Sequence, residues 1–143
     1  MKIRVLLVDD ETEFVDVLAE RLEAREFAVS TAFSGDEALT QLTEREVDVV
    51  VLDVLMPGKS GVETLGEIKK LKPLVEVIML TGHATVESAV EGMKLGAFDY
   101  LMKPTETKDL VEKIVRAYKR KAEQEERIRN AEIQRIMLTR GWD

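Results

Sequence analysis

Short apolar runs alternate along this chain with segments whose apolar residues recur every three or four positions. The runs cover residues 3–8, 27–32, 48–53, 75–80 and 98–102, and those at 3–8, 48–53 and 75–80 are rich in Val, Ile and Leu. Runs of that kind read as β-strands. Between the first two, Phe14, Val15, Leu18 and Leu22 form one helical stripe. The next two helical segments open with Ser34-Gly35-Asp36-Glu37 and Ser60-Gly61-Val62-Glu63, each a capping-box pattern. Their stripes are Ala38, Leu39 and Leu42, then Val62, Leu65 and Ile68. A fourth segment places Val86, Ala89, Val90 and Met93 at i, i+3, i+4 and i+7. A fifth begins near Thr107 and carries Leu110, Val111, Ile114, Val115 and Tyr118.

Alternating strands and helices imply parallel strands joined by right-handed crossovers, with helices on both faces. The expected fold is α/β, a flavodoxin-like doubly wound five-stranded parallel sheet. The order 2-1-3-4-5 fits because Val5-Leu6-Leu7-Val8 is apolar throughout and needs a neighbour on each side. The second strand, Ala28-Val29-Ser30-Thr31-Ala32, alternates apolar with polar and suits an edge. That order places the topological switch point between strands 1 and 3, where open sheets of this type bind ligands.

The chain's least comfortable residues fall there. The first strand runs into Asp9-Asp10 and the third into Asp53. At about 4 Å and an effective dielectric near 20, each like-charged pair costs on the order of 4 kcal/mol. A stable core does not explain that cost, whereas a bound divalent cation would. Strand 4 ends at Thr81-Gly82 and strand 5 at Lys103-Pro104, on the same rim. Carboxylates, a hydroxyl and an ammonium at successive strand ends form a phosphoryl-transfer set. Mg²⁺ takes oxygen ligands and shares them with phosphate. A carboxylate can itself be the nucleophile, and lysine with metal neutralises the transferring group.

Composition narrows the setting. The chain of 143 residues, 45% hydrophobic and 34% charged, suits one globular core. A net charge of −7 argues against direct nucleic-acid binding and against anionic membranes. The absence of cysteine excludes disulfides and thiolate metal sites, and one histidine, His83, cannot build a His-rich zinc site. His83 is expected to be solvent-exposed near the pocket mouth. With no signal peptide and no membrane-length apolar stretch in the sequence, a cytoplasmic location is expected.

Val8-Asp9-Asp10-Glu11, Leu52-Asp53-Val54-Leu55-Met56-Pro57-Gly58, Thr81-Gly82 and Lys103-Pro104 together resemble the receiver domain of two-component response regulators. The likeness covers about residues 1–120. It implies that Asp53 accepts a phosphoryl group from the phosphohistidine of a histidine kinase or phosphotransfer protein. It implies that Asp9, Asp10 and Asp53 hold Mg²⁺ with the Leu55 backbone carbonyl. By the same resemblance Lys103 pairs with the phosphoryl group, Thr81 senses it through its hydroxyl, and Tyr100 rotates inward as Thr81 moves. The surface expected to respond is the fourth helix, fifth strand and fifth helix. Thr105 departs from the phenylalanine that many members carry after Lys-Pro, which should alter packing at the start of the last helix. Such a protein is a switch, an enzyme only toward its own phosphorylation and slow dephosphorylation.

Three rivals predict different sequences. A haloacid-dehalogenase-type phosphatase carries Asp-x-Asp after its first strand, whereas the pair here is adjacent. A flavin-binding electron carrier needs a Ser/Thr/Gly-rich phosphate loop where Asp9-Asp10-Glu11 stands. A phosphate-independent interaction module would not need the full motif set.

The last segment differs in character. Residues 1–118 hold 14 Lys and Arg against 23 Asp and Glu, and residues 119–143 hold 7 against 5. A boundary is therefore expected near Lys119, with residues 121–143 a helical tail or linker. No Gly or Pro interrupts Leu110 to Arg140, so an extended C-terminal helix is predicted. Its domain-facing stripe is expected to end near Tyr118, because Glu125, Glu126 and Arg129 occupy the next turns. Apolar residues return at Ile128, Ile133, Ile136, Met137 and Leu138, and Gly141 offers a stop before Trp142. An apolar end on a protruding helix needs a partner, whether its own domain, a second copy or a downstream domain, and homodimerisation through this tail is the favoured expectation.

Overall fold

The computed structural model describes residues 2–56, 58–82 and 85–140. Pro57 of the expected turn, His83, and the Gly141 stop with Trp142 lie outside the described residues. Five strands, β1 (Arg4–Val8), β2 (Ala28–Ala32), β3 (Val49–Leu52), β4 (Glu76–Thr81) and β5 (Asp99–Met102), alternate with five helices. The helices are α1 (Thr12–Ala24), α2 (Gly35–Glu44), α3 (Gly61–Leu71), α4 (Val86–Lys94) and α5 (Thr107–Thr139). All four strand pairings are parallel and the sheet order is β2-β1-β3-β4-β5, as the sequence predicts.

Strand periodicity divides the core into two layers. Leu6, Val8, Val50 and Leu52 point toward α2 and α3, while Val5, Leu7, Val49 and Val51 point toward α1 and α5. Both layers are closed, with Leu6, Leu52, Ile68, Leu22 and Ile114 all inaccessible. Each such side chain contributes about 1.5–3 kcal/mol by leaving water.

The helix starts are largely as predicted. Ser34 and Ser60 accept from the backbone N–H groups of Glu37 and Glu63. The reciprocal half of the α2 box lands one residue early, with Glu37 accepting from the N–H of Phe33. A full box forms instead at α4, between Thr85 and Ser88.

Two helices add to the sequence reading, and the second corrects it. On α4 the apolar stripe does not face the sheet: Val86 is 82% exposed, Val90 48% and Met93 47%. The helix approaches through buried Gly92, where a Cβ would come within 2.1 Å of the Met79 methyl. Close approach selects the small face and leaves the larger residues outside. On α5 the inward stripe does not end at Tyr118. Leu110, Ile114, Ala117 and Lys121 are all buried, and Lys121 packs at the amino edge of the sheet. Asp48 receives its ammonium at 3.1 Å, so a buried charge continues the stripe where apolar residues stop. From Glu126 to Arg140 every residue is exposed. The helix has 33 residues and spans about 50 Å, well beyond its packed half.

Candidate functional site

The chain turns out of β1 and β3 under the control of the sheet itself. The N–H of Asp9 donates to the Ala32 carbonyl at 3.1 Å and that of Asp53 to the Val8 carbonyl at 2.9 Å. Both residues therefore extend their ladders by one bond, which fixes their side chains at the carboxyl edge. Asp9 and Asp53 are 4% and 3% exposed, whereas Asp10 faces solvent. One carboxylate oxygen from each of the three lies within 4.8 Å of the others. After Asp53, Gly61 lets the head of α3 press onto the loop. A Cβ there would sit 2.1 Å from the Asp53 carbonyl oxygen.

Thr81 closes β4 and is fully buried. Its carbonyl accepts from the N–H of Lys103 at 2.9 Å, which aligns the ends of β4 and β5. Lys103 extends back across the edge. Its Nζ lies 2.6 Å from Asp9 Oδ2, 3.1 Å from Glu11 Oε1 and 4.0 Å from the centre of the Phe14 ring. The structure thus brings Asp9, Asp10, Asp53, Thr81 and Lys103 to one rim.

The remaining expected residues sit at its margins. Leu55 is 59% exposed, and its N–H reaches Asp53 Oδ1 at 3.4 Å. Tyr100 lies beside Met79 in the sheet and packs against the α2–α3 side of the core. Its hydroxyl is buried with no hydrogen-bond partner among the described residues.

Electrostatics set this edge apart. Burial pushes the Asp9 carboxyl above its ordinary range, and the Lys103 ammonium and the Glu11 N–H offset that only in part. Burial alone would lower the Lys103 ammonium, but Asp9 and Glu11 hold it above its usual value. Among the described residues, no ion pair reaches Asp53. The donors facing this space are all oxygen, two of the three carboxylates are desolvated, and one is open to water. That set suits a small hard cation such as Mg²⁺, which keeps part of its water shell and prefers carboxylates.

Sequence reasoning did not single out the seat of Lys103. Glu11 is the N-cap of α1 and Phe14 lies in its first turn, one and four residues past Asp10. A helix starting directly after an acidic pair brings its first turn over the strand ends, and that spacing was the available signal. It also missed Asp48 and Glu76, which are buried at the opposite edge.

The sequence matches the response regulator receiver domain family over residues 5–115. It is 40% identical over 116 residues to the transcriptional regulatory protein ZraR of Salmonella typhimurium, covering 81% of this chain and 26% of that protein. The chain therefore spans about a quarter of that relative's length. The fold superposes on a CheY-like receiver domain protein from Methanospirillum hungatei with a TM-score of 0.83 and 31% identity, covering 87% of this chain and 99% of that one. It also matches a response regulator protein from Burkholderia pseudomallei solved with a phosphorylated aspartic acid, a calcium ion and citrate. There the TM-score is 0.76 and the identity 27%, over 99% of this chain and 88% of that one.

Proposed function

The chain belongs to the response regulator receiver domain family, and on that premise we propose that it is a phosphorylation-operated switch with Asp53 as phosphoacceptor. The observation that carries this reading is the state of Asp53. It is a buried carboxylate, 3% exposed, beside two others and paired with no cation among the described residues. The phosphorylated aspartate in the Burkholderia pseudomallei protein supports it.

In this mechanism an Asp53 oxygen attacks the phosphorus of a phosphohistidine on a histidine kinase or phosphotransfer protein. The new P–O bond forms as the P–N bond breaks, and the imidazole leaves with the bonding pair and takes up a proton. Asp9, Asp10 and Asp53, with the Leu55 carbonyl, would hold Mg²⁺, which when bound sets positive charge against the transferring phosphoryl oxygens. Lys103 exchanges its Asp9 partner for a phosphoryl oxygen. The Thr81 hydroxyl donates to another, and Tyr100 follows into the space beside α4. The phosphoryl group adds charge and three acceptors, enough to reorder such groups.

The responding surface is α4, β5 and the outer side of α5. Val86, Val90, Met93, Leu95 and Met102 are exposed there. Val86, Val90 and Met93, at i, i+4 and i+7, share one exposed face of α4 that suits a partner or output domain. The exposed tail, with Ile133 and Ile136 each 50% exposed and Met137 47%, suits a second copy of the chain. Sedimentation of the full chain against a chain ending at Glu126, which keeps Arg120 and Lys121, with and without beryllofluoride, tests that pairing. Equal monomeric mass throughout refutes it.

No helix among the described residues is long and apolar enough to cross a membrane. The central test is chemical. Acetyl phosphate with Mg²⁺ should add one phosphate to the wild-type chain by intact mass and none to Asp53→Asn, because an amide is a poor nucleophile. Undiminished phosphorylation of that variant overturns the assignment.

A further inference from the structure

Lys103 must do two things that conflict. In the structure its ammonium is held by Asp9 at 2.6 Å and Glu11 at 3.1 Å. To serve the phosphoryl group on Asp53 it has to give up Asp9, whose carboxylate is also one of the three that face the cation space. Glu11 cannot hold the lysine alone, since its side chain is 61% exposed and an ion pair in water is worth little. A lysine released from Asp9 would gain the rotamers of a long flexible chain, and the side chain is only 14% exposed at the start.

The third contact survives that exchange. Phe14 presents its ring face to the ammonium at 4.0 Å, well inside the range where a ring quadrupole attracts a cation. The ring is half-buried and fixed by the first turn of α1, and it also walls the small cavity beneath Asp9 and Asp53. It carries no charge, so it neither competes for the metal nor repels a phosphoryl group. Carboxylates at this edge do both.

We propose that Phe14 is a positioning residue for phosphoryl transfer, its ring holding the Lys103 ammonium over the edge when Asp9 turns to the metal and Asp53 to the phosphoryl group. This rests on Asp53 being the acceptor and extends it to a residue outside the acidic trio. The seat must be aromatic: leucine fills the space but has no negative face, whereas tyrosine keeps the face.

The test uses the full chain as wild type, Phe14→Leu and Phe14→Tyr, with two readouts. The first is NMR of the Lys103 ε-methylene protons, which a ring face shifts upfield. In the wild type and Phe14→Tyr the shift should persist on titration with magnesium chloride, and in Phe14→Leu it should be absent from the outset. Loss of the wild-type shift when Mg²⁺ binds shows that the ring does not keep the lysine, and overturns the proposal. The second is the rate of phosphorylation by acetyl phosphate as a function of Mg²⁺ concentration. Phe14→Leu should lower the saturating rate roughly 2- to 30-fold, the range a cation–ring contact supplies, with Phe14→Tyr close to wild type. The half-saturating Mg²⁺ concentration should be the same in all three. Equal rates in the three chains, or a common fall in both variants, sink the role of Phe14 alone. A wild-type chain that takes no phosphate on Asp53 overturns the function beneath it as well.

Discussion

At the amino edge of the sheet Asp48 and Glu76 are as buried as Asp9 and Asp53 are at the carboxyl edge, but their company is opposite. Asp48 is 2% exposed and Glu76 5%. Asp48 accepts the backbone N–H, Nε and a terminal guanidinium nitrogen of Arg4, at 2.8, 3.1 and 2.9 Å, and the Lys121 ammonium at 3.1 Å. Glu76 meets Arg120 at 3.0 Å and Lys69 at 3.4 Å. Two buried carboxylates thus have four cations. At the carboxyl edge three aspartates cluster, and the Lys103 ammonium pairs with Asp9 and Glu11 alone among the described residues. The pKa directions follow. Burial would raise Asp48, but the Arg4 and Lys121 hydrogen bonds overcome it and hold the group below its usual range, whereas Asp9 stands above its own.

The same fold therefore pairs its buried acids at the amino edge and leaves them crowded at the carboxyl edge, where the proposed chemistry takes place. Breaking a well-paired buried ion costs more than forming it gains, because a charge is stranded. Crowded like charges work the other way, since removing one relieves the rest. Arg120 and Lys121 also fasten α5 to the ends of β4 and β3, so the amino edge sets the direction in which the long helix leaves the domain.

The largest expected effect breaks the comparison directly. Asp48→Ala should lower unfolding stability by about 3–5 kcal/mol in urea without divalent cations. Asp53→Asn should leave it unchanged or raise it by about 1–3 kcal/mol, through relief of repulsion. Similar losses at both positions would erase the distinction between the edges.

A smaller effect sharpens it. Millimolar Mg²⁺ should stabilise the wild-type chain by about 1–3 kcal/mol, the amount for a ligand at ten to a hundred times its Kd. A thermal scan should show this gain shrinking in Asp10→Ala and Asp53→Asn, while Lys121→Met, at the other edge, keeps it in full. A Mg²⁺ response that is equal in the aspartate variants and the wild type would contradict joint coordination.

The smallest effect is in acid. A carboxylate whose folded pKa is depressed adds stability that is fully present above its unfolded value, near 3.8, and is lost as pH falls through the folded one. The stability gap between wild type and Asp48→Asn should accordingly narrow as pH falls from about 5 toward 2. A gap that stays constant across that window would show that Asp48 is not held by its charge.

Much of the carboxyl edge was legible in the sequence because apolar runs announce buried strands, and Asp9, Asp10, Asp53, Thr81 and Lys103 each sit at a strand's end. The amino edge was not, because a charged residue at a strand's start reads as the point where burial stops. Asp48 and Lys121 lie 73 residues apart, and nothing local ties them together. A signal did exist: Leu110, Ile114, Ala117 and Lys121 share one helical face, so the lysine continues the buried stripe. The exposed face of α4 was not legible in the sequence for a different reason. Periodicity finds the larger apolar residues, and here Gly92 against Met79 decides which face goes in.

The most direct measurement is the location of the phosphate. The chain is treated with acetyl phosphate and Mg²⁺, reduced with borohydride so that an acyl phosphate becomes an alcohol, digested, and sequenced by mass spectrometry. The account predicts homoserine at position 53 and aspartate at positions 9, 10 and 48. Homoserine at Asp9 or Asp10, or at no carboxylate at all, would contradict it.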